Sequence, residues 1–423
     1  MKRGPPMPVE QVDTLIIGGG QAGLAISEHL GKRGLPHLVL ERARIAESWR
    51  TSRWDSLVAN GPAWHDRFPT LAFDDIDPNS FAHKDRIVRY FEDVARQNNS
   101  PIRCGVMVKS VTAEGAGFRA DTSDGVIIAK QVVAATGPFQ RPVIPAVLPP
   151  DAGIMQVHSQ GYRNPGQLPD GAVMVVGAGA SGSQIADELL RSGKRVFLSI
   201  GPHDRPPIRY RGKDFCWWLG VLGLWDAKTR SPDMDHVTIA VSGAHGGITV
   251  DFRHFAARGM TLLGRAGAYA DRMMQFAPDL ARNIARGDAS YLAVLDTADA
   301  YASDNGLDLP LEPTARQIDP MPDCATNPIL ELNLRQEGIT SIIWATGYAL
   351  DFTWLQLDTF DAKGTPLHDR GVSKIPGLYF LGLPWLTRRA SPFIWGVWQD
   401  AAYLADHIAG RTQLTNLAIE MIP

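Results

Sequence analysis

Cysteine is scarce: 3 in 423 residues, at Cys104, Cys216 and Cys324, far apart. That excludes a disulfide framework, a CxxC redox pair and a cysteine-rich zinc site. A surplus of either charge is also missing, with 42 Lys+Arg against 45 Asp+Glu and a net charge of −3. This balance argues against nucleic-acid binding by bulk charge. The longest apolar runs fall far short of the ~20 residues that a helix needs to span a bilayer. The opening MKRGPPMPVEQ sets Gly and three Pro where a secretory signal needs its apolar core, and reads as a frayed tail. A cytoplasmic protein without an integral membrane segment is the expectation.

Hydrophobic residues make up 44% and charged residues 21%, enough for a sizeable core and against disorder as the main state. The length suggests roughly two to three domains. Glycine (41) and tryptophan (11) stand out: the first permits close backbone approaches, and the second brings large planar surfaces that need cover.

Val12 to Ile17 reads as a buried strand, followed by Gly18-Gly19-Gly20-Gln21-Ala22-Gly23 and a helix over Leu24–Lys32. His37–Leu40 is a second strand, ending on Glu41, which completes a βαβ unit. An amphipathic helix is predicted over Asp85–Gln97, then two or three strands between Ile102 and Ala135. A proline-rich connection runs from Pro138 to Pro169, and the opening pattern then recurs. Ala172–Val176 is a strand, Gly177–Gly182 a glycine turn, Gln184–Arg191 a helix and Arg195–Ile200 a strand. Residues 214–335 show helical stretches such as Ala281–Asp304 but no readable topology. Strands return at Ile339–Ala345 and Leu378–Leu381, and a last helix is predicted over Ile394–Ile408. The fold class this implies is α/β, with two Rossmann-like dinucleotide-binding domains. The second is inserted into the first: residues 1–165 and 349–423 around residues 166–348, the latter enlarged by an insertion near 214–335.

Gly18, Gly20 and Gly23 have GxGxxG spacing between a strand and a helix. In such a turn one glycine permits the bend, one lets a pyrophosphate approach and one allows close helix–strand packing. Glu41 lies 23 residues after Gly18, where a carboxylate can take ribose hydroxyls. Gly177, Gly179 and Gly182 repeat the spacing, with Ser181 before the third glycine. The corresponding position after the next strand is Ile200, not an acid, and His203, Arg205, Arg209, Arg211 and Lys213 follow. A missing acid with arginines nearby favours a 2′-phosphate, hence NADPH, with Arg205 and Arg209 first and Arg211 next. A merely solvated basic loop is the competing reading. Two such sites in one chain point to a flavin and a nicotinamide brought together for hydride transfer.

At this point the sequence resembles the class B flavoprotein monooxygenases: the flavin-containing monooxygenases, the plant auxin-forming enzymes and the Baeyer–Villiger enzymes. GGGQAG with Glu41 matches their FAD turn, and GAGASGSQIADEL matches their NADPH turn. Trp49-Arg50 resembles the tryptophan that covers the flavin side. Ala135-Thr136-Gly137 and Ala345-Thr346-Gly347-Tyr348 resemble the two ATG motifs at the domain crossings, and GLYFLGL, ending at Gly382, resembles the late flavin-side strand. The resemblance implies cofactor contacts from Gln21, Ala22, Arg42, Val108, Thr136, Gly137, Thr346, Gly347 and Gly382 besides the glycine turns. His158 and Tyr162 keep the HxxxY half of the family fingerprint, while Ala152 and Ile154 stand where it has Phe and Gly. A histidine that only bonds the backbone of a linker is the other reading of His158.

Asn60, in Trp54–Pro62, falls on a stretch that in the flavin-containing monooxygenases carries an Asn close to flavin and NADP+. Its amide could donate to a peroxide oxygen, or it is a turn residue before Gly61-Pro62. Trp49, Trp54 and Trp64, with Trp385, Phe393, Trp395 and Trp398, fit either a dry pocket over the flavin or interdomain core. Arg388-Arg389 fits an acidic substrate or a solvated pair. The expected reaction is an FAD-dependent, NADPH-consuming monooxygenation through a C4a-(hydro)peroxyflavin, with Asn60 catalytic. The partners are O2 and a small apolar or aromatic molecule, N- or S-oxygenation is favoured, and a homodimer is possible. Baeyer–Villiger oxygenation, an NADPH:acceptor oxidoreductase and a non-enzymatic redox sensor remain the alternatives.

Overall fold

The computed structural model describes residues 9–228 and 238–420. Two mainly parallel sheets organise it. In the first, Leu378–Phe380, Gly125–Ala134, Val9–Ile17, His37–Glu41 and Ile102–Cys104 run parallel in that spatial order. The last four residues of Val9–Ile17 are buried, as a strand paired on both edges and covered on both faces requires. Antiparallel Val108–Glu114 and Gly117–Thr122 extend from Gly125–Ala134. That makes four strands between 102 and 135, one more than the sequence shows. Helix Gln21–Lys32 packs on this sheet beside the last helix, Ile394–Glu420, around a core that includes Leu24, Ile26, Val397 and Leu404. Each such fully buried aliphatic side chain contributes about 1.5–3 kcal/mol.

The second sheet has five parallel strands in the order Thr261–Leu263, Val196–Ser199, Ala172–Val176, Ile339–Trp344 and Met155–His158. Both edges differ from expectation. Met155–His158 belongs here, paired with Ile339–Trp344 through Ile343 and Val157, so the chain enters this domain before residue 165. Thr261–Leu263 comes from the region read as an insertion, and helix Phe252–Ala257 leads into it. The elements added to the domain are therefore fewer: chiefly a three-stranded antiparallel sheet (Ala266–Ala270, Met273–Phe276, Glu331–Asn333) and helix Leu280–Asp304.

The segment around Trp49–Asn60 joins the halves. Trp49 packs on the cores of both, and Trp54 and Leu57 pack into the second. Asp55 N donates to Arg163 O (2.7 Å), and Ser56 Oγ donates to Glu188 (2.5 Å). At Gly243 the contact with this segment is so close that a Cβ would stand 1.9 Å from Ala59 O. Among the described residues no helix is long and apolar enough to cross a membrane.

Candidate functional site

The two glycine turns have the same construction. Gly18 and Gly177 have φ of +117° and +104°, and a Cβ on either would stand 2.5 Å from a backbone oxygen of the facing ATG segment, Ala135 or Ala345. A Cβ on Gly23 would lie 1.8 Å from Gly18 O, and one on Gly182 would lie 1.8 Å from Gly177 O. These glycines hold helix against strand. Gly20 differs: no heavy atom lies within 4 Å of an added Cβ, so the space above it is open. Gly20 and Gly179 cap helices Gln21–Lys32 and Ala180–Arg191 with no side-chain hydrogen bond, and neither helix has an acid in its first turn. Two electropositive helix ends without a side-chain cap, the first with open space at Gly20, suit two anionic groups.

Glu41 accepts from Gly19 N (2.7 Å) and Ala43 N (2.9 Å), which fixes its carboxylate beside the first turn with lone pairs to spare. Gln21 Nε2 donates to Pro392 O (2.6 Å), tying this turn to the start of the last helix. Gly382 closes against Ala22: a Cβ there would lie 2.8 Å from the Ala22 Cβ. Thr136 Oγ1 accepts from Gln140 (2.9 Å), and Thr346 Oγ1 donates to Val143 O (2.5 Å), which fastens the two crossings, each with a positive-φ glycine (Gly137, Gly347). Trp49 is half-buried, and Arg50 pairs with Glu92. Val108 and Ser181 are partly exposed, and Arg42 is exposed.

Three expected cofactor residues are committed elsewhere. Arg205 is 3% exposed, bonds Asp288 (2.8 Å), lies 3.4 Å from Asp251 and stacks over Tyr291. A guanidinium so desolvated and neutralised is part of the core and is not open to a phosphate. Tyr162 is fully buried, and its hydroxyl donates to Glu188 (2.7 Å) within the second domain. His158 is buried; its Nδ1 accepts from Gln160 N (3.1 Å), so Nε2 carries the proton and donates to Gly347 O (3.0 Å). Burial lowers its pKa. His158 thus links the second sheet to a crossing loop, the backbone-bonding role. Arg211 pairs with Asp299 (3.1 Å). Arg209 is the exposed member of the group: it donates to Asn79 O (2.9 Å) and lies over Phe81. Arg265, absent from the sequence reading, follows the strand beside Val196–Ser199, and its side chain is 66% exposed.

Asn60 is partly exposed where the two domains meet, and its Oδ1 accepts from Gln184 (2.8 Å) on the second glycine-turn helix. Among the described residues its Nδ2 donates to no protein atom. The turn that carries it is clamped from below, because Asp66 accepts from Gly61 N (3.1 Å) and holds His65 Nδ1 at 2.8 Å.

The aromatics divide. Trp54 is in the second core and Trp398 stacks with His29 and Phe68, so both are structural. Trp218 is buried with Tyr210 among the added elements. Trp64, Trp225 and Trp395 gather around His65 across the join between the domains, with Phe393 against Trp225. Trp225 and His65 have no sequence signal for this role, since the contact spans distant segments. Cys104, Cys216 and Cys324 are all free thiols.

Two dinucleotide-type domains, each opened by a glycine turn, with a carboxamide held between them, give the chain the two-domain fold of the pyridine-nucleotide oxidoreductases. Residues 15–207 match the family described as pyridine nucleotide-disulphide oxidoreductase. The chain is 33% identical over 402 residues to an uncharacterized CzcO-like oxidoreductase of Geobacillus kaustophilus, covering 94% of this chain and 98% of that one. It is 32% identical over 192 residues to indole-3-pyruvate monooxygenase YUCCA1 of Oryza sativa, covering 44% of this chain and 47% of that one. The fold is shared with the flavin-containing monooxygenase from Stenotrophomonas maltophilia, with a TM-score of 0.66, 19% identity, and coverage of 95% and 99% of the two chains. The chain belongs to the CzcO-like oxidoreductases.

Proposed function

We propose that the protein is an NADPH-consuming monooxygenase that transfers one oxygen atom from O2 to a small apolar or aromatic molecule, by N- or S-oxygenation. The observation that carries this reading is Asn60, a carboxamide fixed where the two domains meet with its N–H groups free to donate. The sequence kinship with a plant monooxygenase supports it.

In this reading the FAD pyrophosphate lies at Gly18–Gly23, with Glu41 on its ribose, and the NADPH pyrophosphate lies at Gly177–Gly182. Arg209, with Arg265, takes the 2′-phosphate in place of Arg205. Reduced FAD supplies the activation of O2 when bound. The protein's part is to bind, to exclude water and to donate a hydrogen bond to developing negative charge on oxygen. Asn60 Nδ2 is that donor. Trp64, Trp225, Phe393 and Trp395 line the substrate side, where planar apolar faces favour aromatic or aliphatic groups over charged ones.

Asn60→Ala is expected to raise the hydrogen peroxide released per NADPH oxidised by roughly tenfold or more, the usual cost of one such donor. The measurement is NADPH depletion with parallel peroxide assay on the FAD-loaded protein. Unchanged coupling would remove Asn60 from the reaction. Complete conversion of NADPH to peroxide by the unaltered protein, with every amine, sulfide and indole offered, would favour an oxidase or an acceptor reductase.

A further inference from the structure

Gln184 reads in the sequence as an ordinary helix residue, yet its side chain is held more tightly than any surface position would need. It is 7% exposed, and its Nε2 makes two bonds, to Val241 O (2.9 Å) and to Asn60 Oδ1 (2.8 Å). A carboxamide usually leaves open which end is oxygen and which is nitrogen. Here the main chain decides. A backbone carbonyl only accepts, so the group facing Val241 O must be the NH2 of Gln184. The second N–H of that NH2 is aimed at Asn60, which must answer with its carbonyl oxygen. The Asn60 NH2 is therefore turned to the other side, where among the described residues no protein atom receives it. In the opposite orientation two NH2 groups would face each other in a nearly dry site, a bias of roughly tenfold or more against it.

The relay also crosses the join between the domains. Gln184 lies on the helix that follows the second glycine turn, and Val241 follows a residue of the second core, Ala240. Asn60 lies in the loop leading from the first glycine-turn domain. We infer that Gln184 is a positioning residue: it sets which end of the Asn60 carboxamide is presented to the oxygen-activating site, and it does so only while the two domains are docked. This rests on the role given to Asn60 above. The consequence is a dependence of coupling on domain arrangement, since a separated pair of domains leaves the Asn60 amide free to turn.

Three variants test it. Gln184→Met keeps the volume and removes the relay. Gln184→Glu keeps the shape and, with its carboxylic proton donated to Val241 O, accepts from Asn60, which inverts the amide. The third is Asn60→Ala, alone and combined with Gln184→Met. The first readout is the side-chain amide signal of Asn60 in FAD-loaded protein labelled with [15N]Asn, identified by its loss in Asn60→Ala. It should move in both Gln184 variants, and further in Gln184→Glu, where the amide is inverted and donates to the side chain at 184. The second readout is peroxide per NADPH, expected to rise at least about threefold in either Gln184 variant with the KM for NADPH unchanged. Gln184→Met should add nothing in the Asn60→Ala background, as expected of two groups acting as one unit. If Asn60→Ala uncouples the enzyme while both Gln184 variants leave the amide signal and the coupling unmoved, the inference falls and the Asn60 role stands. It falls also if Gln184→Met uncouples further in the absence of the Asn60 amide. If Asn60→Ala itself is silent, the functional reading fails first, and the amide signal alone decides whether Gln184 orients it.

Discussion

At the scale of single residues, the glycines of the first turn do different jobs, and the structure separates them. Gly18 and Gly23 are glycines for the fold: a side chain at 23 meets Gly18 O at 1.8 Å, and Gly18 has the positive φ that L side chains avoid. Gly20 has φ −93° and open space above it, so alanine fits the polypeptide there. A glycine there suits a helix N-cap and leaves the backbone open to a close approach by a ligand. Gly23→Ala should lower the yield of folded protein or its thermal midpoint sharply. Gly20→Ala should leave the midpoint of the FAD-free protein within about 2 °C, the shift expected for a few tenths of a kcal/mol. It should weaken FAD retention roughly tenfold or more, by the loss of close pyrophosphate contacts. Fluorescence titration of FAD into both apoproteins measures the contrast. Normal FAD affinity in Gly20→Ala would mean that the turn holds no pyrophosphate.

At the scale of elements, the arginine loop shows how a charge that looks like a ligand site becomes a structural one. Asp288, on helix Leu280–Asp304, takes Arg205 and Arg253 together. Burial alone would raise the pKa of its carboxyl, but the hydrogen bonds from Arg253 and Arg205 outweigh this and hold it below its ordinary value. Asp288→Asn leaves two buried guanidinium groups poorly compensated and should cost about 3–5 kcal/mol in urea unfolding. Arg209→Ala, at an exposed site, should leave stability unchanged and raise the KM for NADPH but not for NADH. An equal effect on both nicotinamides would place the 2′-phosphate elsewhere. The arginines were legible in the sequence, but their partner, 83 residues from Arg205, was not. The same limit explains Tyr162, whose Glu188 lies on the next helix. The βαβ units were legible because their strands are continuous apolar runs, such as Ala172–Val176, broken by glycines that the geometry demands. Met155–His158 was not, because an edge strand of four residues with a mixed burial pattern has no period to read. Thr261–Leu263 has only three residues. The candidate site was legible as far as it repeats a known turn, and the role proposed for Asn60 was suggested by its sequence setting. The amide relay through Gln184 could not, since it depends on Val241, a main-chain oxygen from another segment.

At the scale of the whole molecule, several histidines are placed where distant segments meet, and burial lowers the pKa of each. His29, on the first helix, has its Nε2 3.2 Å from Trp398 O on the last helix and its Nδ1 3.4 Å from Arg33 Nη1, and its ring packs on Trp398 at 4.2 Å. Burial, reinforced by Arg33, lowers its pKa to about 4. His158 joins the second sheet to Gly347, and His37 bonds Ser27 of the first helix (2.9 Å). Burial lowers the pKa of His37, His158, His203 and His368 as well. Well above pH 6.5 these imidazoles are neutral in both the folded and the unfolded chain, and their ionisation does not affect stability. Below it the unfolded chain takes up protons that the folded one refuses, so folding stability falls as the pH drops from about 6.5 towards 4. The thermal midpoint of the FAD-loaded protein should therefore fall steadily across that window, before the paired carboxylates such as Asp288 begin to protonate. His29→Gln should reduce the slope by about one proton between those limits. It should also cost stability at neutral pH, where the ring's packing on Trp398 is lost. A midpoint that stays flat from pH 7 to 5 would show that these groups titrate normally in the fold. The contacts they make between the first and last helices, and between the second sheet and its crossing loop, would then not depend on their being neutral.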